Sequence, residues 1–585
     1  MVRKTTVYEK NGWVYIRPYK PHPKIEKYRQ IGRTNSTPEN IVELAREIPE
    51  FSNLDCYPRY VKWVKALQKA DRIKKSSPDQ IKLEKFELKY EPMQHQRIAI
   101  AFSLSIPACG LFMETGTGKT FVALMNAHIR KKIGRIEKTL VIAPPSIITS
   151  VWKSECEKFT DLVPVVVHPK SRSYWNCPVT GIKVTRLTKK HLRKCKMTEE
   201  EYYKAYPGAK VLDGNKIKLI KDRLDIEGDL YITSPNILAT HIDEFISRDF
   251  GLMIIDESTM IKSPNARRTK AAHKIGRHVP YKIILTGTPI TNNLEDIWSQ
   301  MYFVDQCLGP TFNRFIRKYF WTHPEMPYIR NVLHGADTDI INIISKRCIR
   351  FRKAECLDLP EQVFVTRDVE MTSKVKSAYN TMHDEMFALL EDGTEITVDM
   401  IITRTMKLQQ IVNSFVIDED QKVNYIDKIP SKIKEVKSIM EELRPDQKVI
   451  IWCIFKHDMK MLCEHLKDYN PVLINSSNVD DTETRFKEDP ECRIAISHPK
   501  SCRFGHNWTH SDVTIYYSMS YSVEDYVQSI ARNYRKGQEK SVTVFFIASG
   551  PIDHAVLESV TENKNFGEAI VDDRSILSLR ERLRL

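Results

Sequence analysis

Short runs of apolar and β-branched residues recur along the chain, and longer stretches with helical periodicity separate them. In the first half these runs are CGLFME (109–114), TLVIAP (139–144), DLYITS (229–234), GLMIID (251–256) and YKIILTG (281–287). In the second half they are KVIIWC (448–453), PVLINS (471–476), CRIAIS (492–497), VTIYYS (513–518) and VTVFFIA (542–548). Strands that are apolar on both faces are typical of parallel sheets covered by helices. The pattern therefore predicts two α/β domains.

The places where this alternation starts and stops predict the domain boundaries. The predicted parts are an accessory region with at least one helix (1–84), a first α/β domain (85–300), a mostly helical segment (301–440), a second α/β domain (441–570) and a tail (571–585). The helical segment includes VKSAYNTMHDEMFALLEDG and DMIITRTMKLQQIVNSF, whose apolar stripes indicate helix packing. A strongly basic insertion at 172–225 interrupts the first domain.

Length and charge narrow the class of protein. The chain has 585 residues, more than one hydrophobic core usually organises, which agrees with two or three domains. It carries 90 Lys and Arg against 75 Asp and Glu, a net charge of +15. This balance favours a polyanionic partner, although charge alone does not identify one.

Targeting signals and cysteine usage suggest the compartment. No apolar run approaches the roughly 20 residues that a membrane span needs, and the start, MVRKTTVYEKNGWVYIRPYK, has no apolar signal core. The 12 cysteines are scattered, without the dense spacing of a disulfide framework. We therefore expect reduced thiols, no membrane association and a cytoplasmic protein.

A glycine-containing loop follows the first apolar run. It consists of Thr115-Gly116-Thr117-Gly118-Lys119-Thr120 and precedes the helical FVALMNAHIR. A strand, a glycine loop and a helix in this order surround a phosphate with backbone N–H groups and a helix N-terminus. We expect Lys119 to contact the β- and γ-phosphates of a nucleotide and Thr120 to contact Mg²⁺. The loop therefore predicts a nucleotide site.

An acidic pair ends the run GLMIID. Asp256 and Glu257 are predicted to lie at the carboxyl end of a buried strand, the edge where ligands of α/β sheets collect. Buried carboxylates are costly unless a cation or a proton shares the site. Asp256 is therefore our candidate to hold Mg²⁺, and Glu257 our candidate to orient and deprotonate the attacking water. Leu285 to Pro289 follow the next strand and are predicted to form a third loop at the same edge.

These segments resemble, in order, the motifs of the Snf2-like family of superfamily 2 helicases and DNA translocases. The segments are METGTGKT, TLVIAPPSIITSVWKSECEKF, YITSPNIL, IIDESTMIKSPNARRTKAA, LTGTPITNNLEDIWS and QSIARNYRKGQEKSVTVFFI, and the resemblance covers about 85–570. It implies two RecA-like parallel-sheet lobes with helical insertions, ATP and Mg²⁺ as cofactors, and a DNA-dependent ATPase of phage or bacterial type.

The resemblance also implies roles for single residues. Gln96 resembles the glutamine that recognises adenine, and Arg532 and Arg535 resemble the arginine fingers of the second lobe. Two positions depart from the family pattern. The segment that begins with the acidic pair, 256–259, ends in Thr259 where many relatives have His. The glycine-rich motif of the family corresponds to 501–509, which keeps only one of the usual glycines. These departures concern the coupling of hydrolysis to DNA and the backbone contacts of the second lobe.

The basic insertion contains a pattern similar to a degenerate MucR-like zinc finger. Cys177, His191 and Cys195 occupy the first, third and fourth ligand positions, and Thr180 stands where the second cysteine belongs. Threonine is a poor zinc ligand, and structural zinc is nearly always four-coordinate. Three interpretations remain open: a Zn²⁺ site completed by another group, a finger that lost its metal, and chance. In each case the lysines and arginines of the insertion favour contact with DNA phosphates.

The expected function is ATP-dependent movement along double-stranded or branched DNA during replication, recombination or repair, by a monomer. Two alternatives differ in what ATP achieves. One is a helicase that separates strands. The other is a nucleotide-switched DNA-binding module without productive turnover, which the intact Lys119, Asp256, Glu257, Arg532 and Arg535 disfavour.

Overall fold

The computed structural model describes residues 6–10, 13–17, 57–167, 222–291, 293–324, 330–391, 398–418, 422–474, 479–501 and 507–571, with short pieces between 175 and 220 and a few isolated positions. Among these described parts, no helix is both long and apolar enough to cross a membrane.

Strands and helices alternate through both halves of the chain. The strands are β1 (Thr6–Lys10), β2 (Trp13–Arg17), β3 (Ala108–Met113), β4 (Thr139–Ile142), β5 (Pro164–Val166), β6 (Trp175–Asn176), β7 (Lys183–Val184), β8 (Leu230–Thr233), β9 (Leu252–Asp256), β10 (Tyr281–Thr286), β11 (Phe320–Thr322), β12 (Arg330–Val332), β13 (Cys348–Phe351), β14 (Gln362–Asp368), β15 (Phe415–Ile417), β16 (Val423–Tyr425), β17 (Val449–Trp452), β18 (Val472–Ile474), β19 (Ile494–Ser497), β20 (Val513–Tyr516) and β21 (Val542–Ala548). The helices are α1 (Tyr57–Lys74), α2 (Gln94–Ser105), α3 (Lys119–Lys132), α4 (Ser154–Phe159), α5 (Glu199–Ala205), α6 (Pro235–Thr240), α7 (Ile242–Ile246), α8 (Arg267–Gly276), α9 (Asp296–Val304), α10 (Phe312–Tyr319), α11 (Ala336–Ser345), α12 (Lys353–Cys356), α13 (Ser373–Glu391), α14 (Val398–Val412), α15 (Ser431–Glu442), α16 (Lys456–His465), α17 (Val479–Glu488), α18 (Val523–Ile530) and α19 (Pro551–Val571). Each apolar run of the sequence is a strand.

The first large sheet, with the helices packed on it, is called lobe 1. Its seven strands have the order β13-β3-β10-β9-β4-β8-β5 and are all parallel. In the register, Asp256 of β9 lies opposite Leu285 of β10, and Thr286 lies opposite Phe112 of β3. The loops that follow β3, β9 and β10 therefore leave the sheet side by side at its carboxyl edge.

Helices cover both faces of this sheet. One apolar cluster joins α1, α2 and α3 to the sheet, and the other joins it to α8, α9, α10 and α11. Leu67 and Ala70 of α1 are buried in the first cluster. The helix predicted in the accessory region is therefore part of the core of lobe 1.

The second large sheet and its helices form lobe 2. Six parallel strands have the order β14-β21-β20-β17-β19-β18. Helices α15 and α16 pack on one face, while α18 and α19 pack on the other around the buried Trp452 and Trp508. The structure thus confirms the predicted fold class of two parallel-sheet α/β lobes.

The sheets extend beyond the predicted domain limits. β13 is an edge strand of lobe 1 and lies after residue 300, and β14 is an edge strand of lobe 2 and lies before residue 441. Both strands have partly exposed residues, so neither forms the continuous apolar run that marks a central strand. The segment predicted as a helical linker is therefore divided between the lobes, and the chain crosses from one to the other at 352–361.

The basic insertion is described only in pieces. β6 and β7 form a short antiparallel pair, and Cys195 is buried. Cys177 and His191 lie outside the described residues, as does most of the predicted finger. Within the described part of the chain, His, Cys, Asp and Glu side chains form no group of three suited to a metal ion. The structure therefore gives no support for zinc.

Candidate nucleotide site between the lobes

The glycine-containing loop at 115–120, called the phosphate loop from here on, connects β3 to α3 as the sequence predicts. Gly116 and Gly118 have φ values of +94° and +90°, a region that L side chains rarely adopt. A Cβ added to Gly118 would lie 2.2 Å from Nε2 of Gln96, so glycine is also needed for space. Lys119 is buried at the start of α3, and its Nζ donates to the carbonyl of Met113 at 2.8 Å.

Two side chains of α2 support this loop from behind. Gln96 accepts a hydrogen bond from the backbone N–H of Met93 (3.0 Å) and donates to the carbonyl of Thr117 (3.1 Å). Nε2 of His95 lies 2.8 Å from the same carbonyl, so it donates as the Nε2–H tautomer. Burial lowers the pKa of His95, which favours this neutral form. The sequence reasoning missed His95, because nothing local distinguishes it from an ordinary helix residue.

A cavity of about 660 Å³ opens beside His95, between the start of α2 and the end of β13. Its lining includes Gln94, Phe351 and Arg352. Both polar ends of the Gln96 amide are engaged with the backbone of Met93 and Thr117 instead. The role of Gln96 in recognising adenine stays a prediction, and the structure adds a cavity of suitable size next to it.

The acidic pair lies at the end of β9, adjacent to the phosphate loop. Asp256 is only 5% exposed, and its carboxylate accepts hydrogen bonds from Nε1 of Trp152 (2.7 Å) and from the backbone N–H of Glu257 (2.9 Å). Burial raises the pKa of Asp256, while the Trp152 bond and the charge of Lys119 lower it. Glu257 is buried too and has a φ of +49°. A magnesium ion takes oxygen ligands. The carboxylate of Asp256 and the hydroxyl of Thr120 therefore fit such an ion and are the groups that would hold it.

Glu155 of α4 is a further acidic group of this site. Burial and the neighbouring charge of Asp256 raise the pKa of Glu155 to about 7, and Arg535 and Lys158 act in the opposite direction. The side chain therefore faces the acidic pair on lobe 1 and an arginine of lobe 2 at once. Glu155 lies in the segment TLVIAPPSIITSVWKSECEKF that carries the family resemblance, but the sequence reasoning did not include it among the site residues.

The third loop connects the acidic pair to the phosphate loop. A Cβ added to Gly287 would lie 3.5 Å from backbone atoms of 113–115, so the two loops are in close contact. Ser258 donates to Oε1 of Gln300 at 2.6 Å, and Nε2 of Gln300 donates to the carbonyl of Pro289 at 2.6 Å. Gln300 therefore joins the loop after β9 to the third loop, which in turn lies against the phosphate loop.

Lobe 2 supplies arginines to the opposite wall of the site. A Cβ added to Gly116 would lie 3.5 Å from Cβ of Arg535, which places the turn after α18 against the phosphate loop. Arg532 is only 3% exposed, and its Nε donates to the carbonyl of Gln528 at 2.8 Å. The lobes also touch where Thr259 lies 3.4 Å from Oε1 of Glu524. Residues far apart in sequence thus form one cleft.

Comparison with known families agrees with this geometry. A model of the SNF2-related domain matches residues 58–417. The chain belongs to the SNF2-related family. A model of the helicase conserved C-terminal domain matches residues 431–537. The family resemblance of the sequence is therefore confirmed, and this SNF2-related protein has the nucleotide-binding features of a helicase-like ATPase family.

Individual relatives are distant in sequence. This SNF2-related chain is 26% identical to "Putative protein p41" of Acyrthosiphon pisum secondary endosymbiont phage 1, over 83% of the chain and 97% of that protein. It is 22% identical to "Zorya protein ZorD" of Escherichia coli, over 77% of the chain and 42% of the relative. It is 22% identical to "DNA annealing helicase and endonuclease ZRANB3" of Bos taurus, over 80% of the chain and 39% of that protein. The chain thus spans nearly all of the phage protein and about two fifths of the other two.

Among solved structures, the "Sulfolobus solfataricus SWI2/SNF2 ATPase core in complex with dsDNA" matches with a TM-score of 0.36 and 20% identity, over 83% of this chain and 95% of that one.

Proposed function

We propose that this SNF2-related protein hydrolyses ATP and uses the energy to move along double-stranded or branched DNA, as a cytoplasmic monomer that remodels DNA or strips proteins from it during replication, recombination or repair. The observation that carries the proposal is the closeness of Arg535 of lobe 2 to Gly116 of the phosphate loop, where an added Cβ would lie 3.5 Å from Cβ of Arg535. Because the site has walls from both lobes, hydrolysis depends on how the lobes are placed relative to each other.

The residues of lobe 1 have distinct tasks in this proposal. Lys119 and the backbone N–H groups at the start of α3 hold the phosphates. Glu257, at the turn after β9, orients the attacking water and accepts its proton. Thr120 and Asp256 would hold Mg²⁺, which would supply positive charge to offset that of the phosphates.

Arg532 and Arg535 act on the other side of the cleft. A guanidinium is planar and always charged, which suits the charge that develops on a transferring phosphoryl group. Both side chains are held by lobe 2, so they reach the phosphate only when the lobes are closed. Each cycle of closure and opening then moves one lobe relative to the other, which is the motion that a translocase needs.

DNA as the track is supported by the family and by the charge of the chain. The net charge of +15 favours a polyanion. One relative, ZRANB3, is named a DNA annealing helicase. The loops that follow β3, β9 and β10 leave lobe 1 on one edge, and Gln300 joins the segments after β9 and β10. DNA bound at these segments would therefore be linked through Gln300 to the nucleotide site.

ATP hydrolysis should be measured with duplex, single-stranded, forked and four-way DNA and with RNA. We expect duplex DNA to stimulate the wild type and not Glu257→Gln. Displacement of a third strand from a DNA triplex then tests translocation, and strand displacement from a fork tests unwinding. Nucleotide-dependent DNA binding without turnover would contradict the proposal and favour the switched binding module. Unwinding of forks without movement on intact duplex would favour the strand-separating helicase.

A further inference from the structure

Lys353 lies where the chain leaves lobe 1 for lobe 2. It begins α12, two residues after β13 ends at the edge of the lobe 1 sheet, and β14 of lobe 2 begins at Gln362. Lys353 is 9% exposed although it is a lysine. Buried lysines are rare unless paired, so its partners indicate what it does.

The contacts of Lys353 join three parts of the nucleotide site. Its backbone N–H donates to Oε2 of Glu114, the residue between β3 and the phosphate loop, at 3.0 Å. Its Nζ donates to the carbonyl of Tyr534 in lobe 2 at 2.8 Å and lies 5.6 Å from the centre of the Tyr534 ring. A Cβ added to Gly116 would lie 3.9 Å from Cε of Lys353. The residue after Tyr534 is Arg535, so the lysine holds the turn that carries it.

The charges around Lys353 point the same way. Burial lowers its pKa to about 7, and Lys119, Arg532 and Arg535 lower it as well, while Glu114 raises it. A lysine with a purely structural task in lobe 1 would be expected to find its acceptor within lobe 1. Instead Nζ of Lys353 donates across the cleft to the carbonyl of Tyr534 in lobe 2.

We propose that Lys353 is a positioning residue that fastens the Tyr534–Arg535 turn of lobe 2 to the phosphate loop of lobe 1, and so sets the position of Arg535 without contacting the transferred phosphate. This inference rests on the proposed hydrolysis of ATP in the cleft. It assigns to the crossing segment at 352–361 a direct part in closing the site.

The kinetic test is a double-mutant cycle between Lys353→Met and Arg535→Ala. Alone, Lys353→Met lowers kcat about 10- to 100-fold, the loss expected for a hydrogen bond that involves a charged group, and changes the KM for ATP less than about threefold. In the Arg535→Ala background the same substitution costs less than about twofold, because the lysine acts through that arginine. Equal losses in both backgrounds, or a raised KM with unchanged kcat, would overturn the proposal.

Two further variants separate positioning from folding. Lys353→Arg keeps a long cationic donor and recovers part of kcat. Lys282→Met is the matched control: burial lowers the pKa of this second lobe 1 lysine to about 8, but it lies at the amino end of β10, opposite Ala108, whereas the phosphate loop follows the carboxyl end of β3. We expect wild-type activity from it. Thermal unfolding of each variant shows whether the fold is retained.

Hydrogen exchange gives a readout that does not need turnover. In the wild type the N–H of Gln538 donates to the carbonyl of Arg535 at 3.0 Å, and that of Arg532 to Ser529 at 3.1 Å. Peptides covering 531–538 should exchange faster in Lys353→Met than in the wild type or in Lys282→Met. Unchanged exchange there would refute the fastening role, whether or not the protein hydrolyses ATP. Faster exchange in a protein without DNA-stimulated turnover would keep the fastening role and reject the proposed function.

Discussion

Replacing Trp152 by Phe tests how the buried carboxylate of Asp256 is prepared for a cation. Trp152 is fully buried, and its Nε1 donates to Oδ2 of Asp256 at 2.7 Å. Phenylalanine keeps an aromatic ring at this place but has no N–H group. The carboxylate then keeps the backbone N–H of Glu257 and the charge of Lys119 as its support.

The size and direction of the effect follow from this bond. A hydrogen bond to a charged group contributes about 1.5–3 kcal/mol, which corresponds to roughly 10- to 100-fold in an equilibrium constant. Burial raises the pKa of Asp256, and the bond from Trp152 lowers it. Without the bond the carboxyl holds its proton to higher pH. Protons then compete more strongly with Mg²⁺, and the competition is strongest on the acidic side.

The assay is the Mg²⁺ dependence of ATP hydrolysis at pH 6 and at pH 8.5. In Trp152→Phe the Mg²⁺ concentration for half-maximal rate should rise by about 10- to 100-fold at the lower pH, and by less at the higher pH. Trp452→Phe is the matched control, because Trp452 of lobe 2 is also fully buried and its Nε1 has no acceptor within the described residues. Equal Mg²⁺ dependence in the two variants would refute the assigned role of the Trp152 bond.

Three further outcomes are expected. Glu257→Gln should lower ATP turnover by about 100-fold or more and leave DNA affinity unchanged in a filter-binding assay, since it removes the base; normal turnover would contradict this role. Arg532→Ala should lower kcat by about 1,000-fold with little change in ATP affinity, and a collapse of affinity at unchanged kcat would reject the finger role. Asp458, in the core of lobe 2, has a pKa raised to about 7 by burial, above its unfolded value. The stability that the protonated Asp458 contributes is therefore lost as the pH rises from about 4 to 7. The difference in melting temperature between Asp458→Asn and the wild type should change over that range and stay constant above pH 7.

The candidate nucleotide site of lobe 1 could be predicted from the sequence because its signals are local. A strand, two glycines, Lys119 and a helix follow one another within the chain, and each part of that order has its own sequence signal. The acidic pair is likewise marked by its own strand. For such segments the hydrophobic period and the chemistry of the next few residues suffice.

The supporting residues could not be predicted, because their roles depend on contacts between residues that are far apart in the sequence. Trp152 and Asp256 are 104 residues apart, and Lys353 is 181 residues from Tyr534. No period or spacing rule spans such distances. The strands β13 and β14 were missed for a different reason: they are edge strands with partly exposed residues, so they lack the continuous apolar run of a central strand.

The charges of the cleft link the chemistry to the position of the lobes. On lobe 1, Glu155 has a pKa raised to about 7 by burial and by Asp256, and Arg535 of lobe 2 lowers that pKa. Arg535 in turn is half-buried, which lowers its pKa, and the charge of Glu155 raises that pKa. Each group is therefore stabilised in its charged form by the other lobe. If the lobes separated, Glu155 would lose its cation while Asp256 stayed beside it, and it would take up a proton more readily. Closure thus lowers the pKa of Glu155, so the charge of this carboxyl depends on the position of Arg535 in lobe 2.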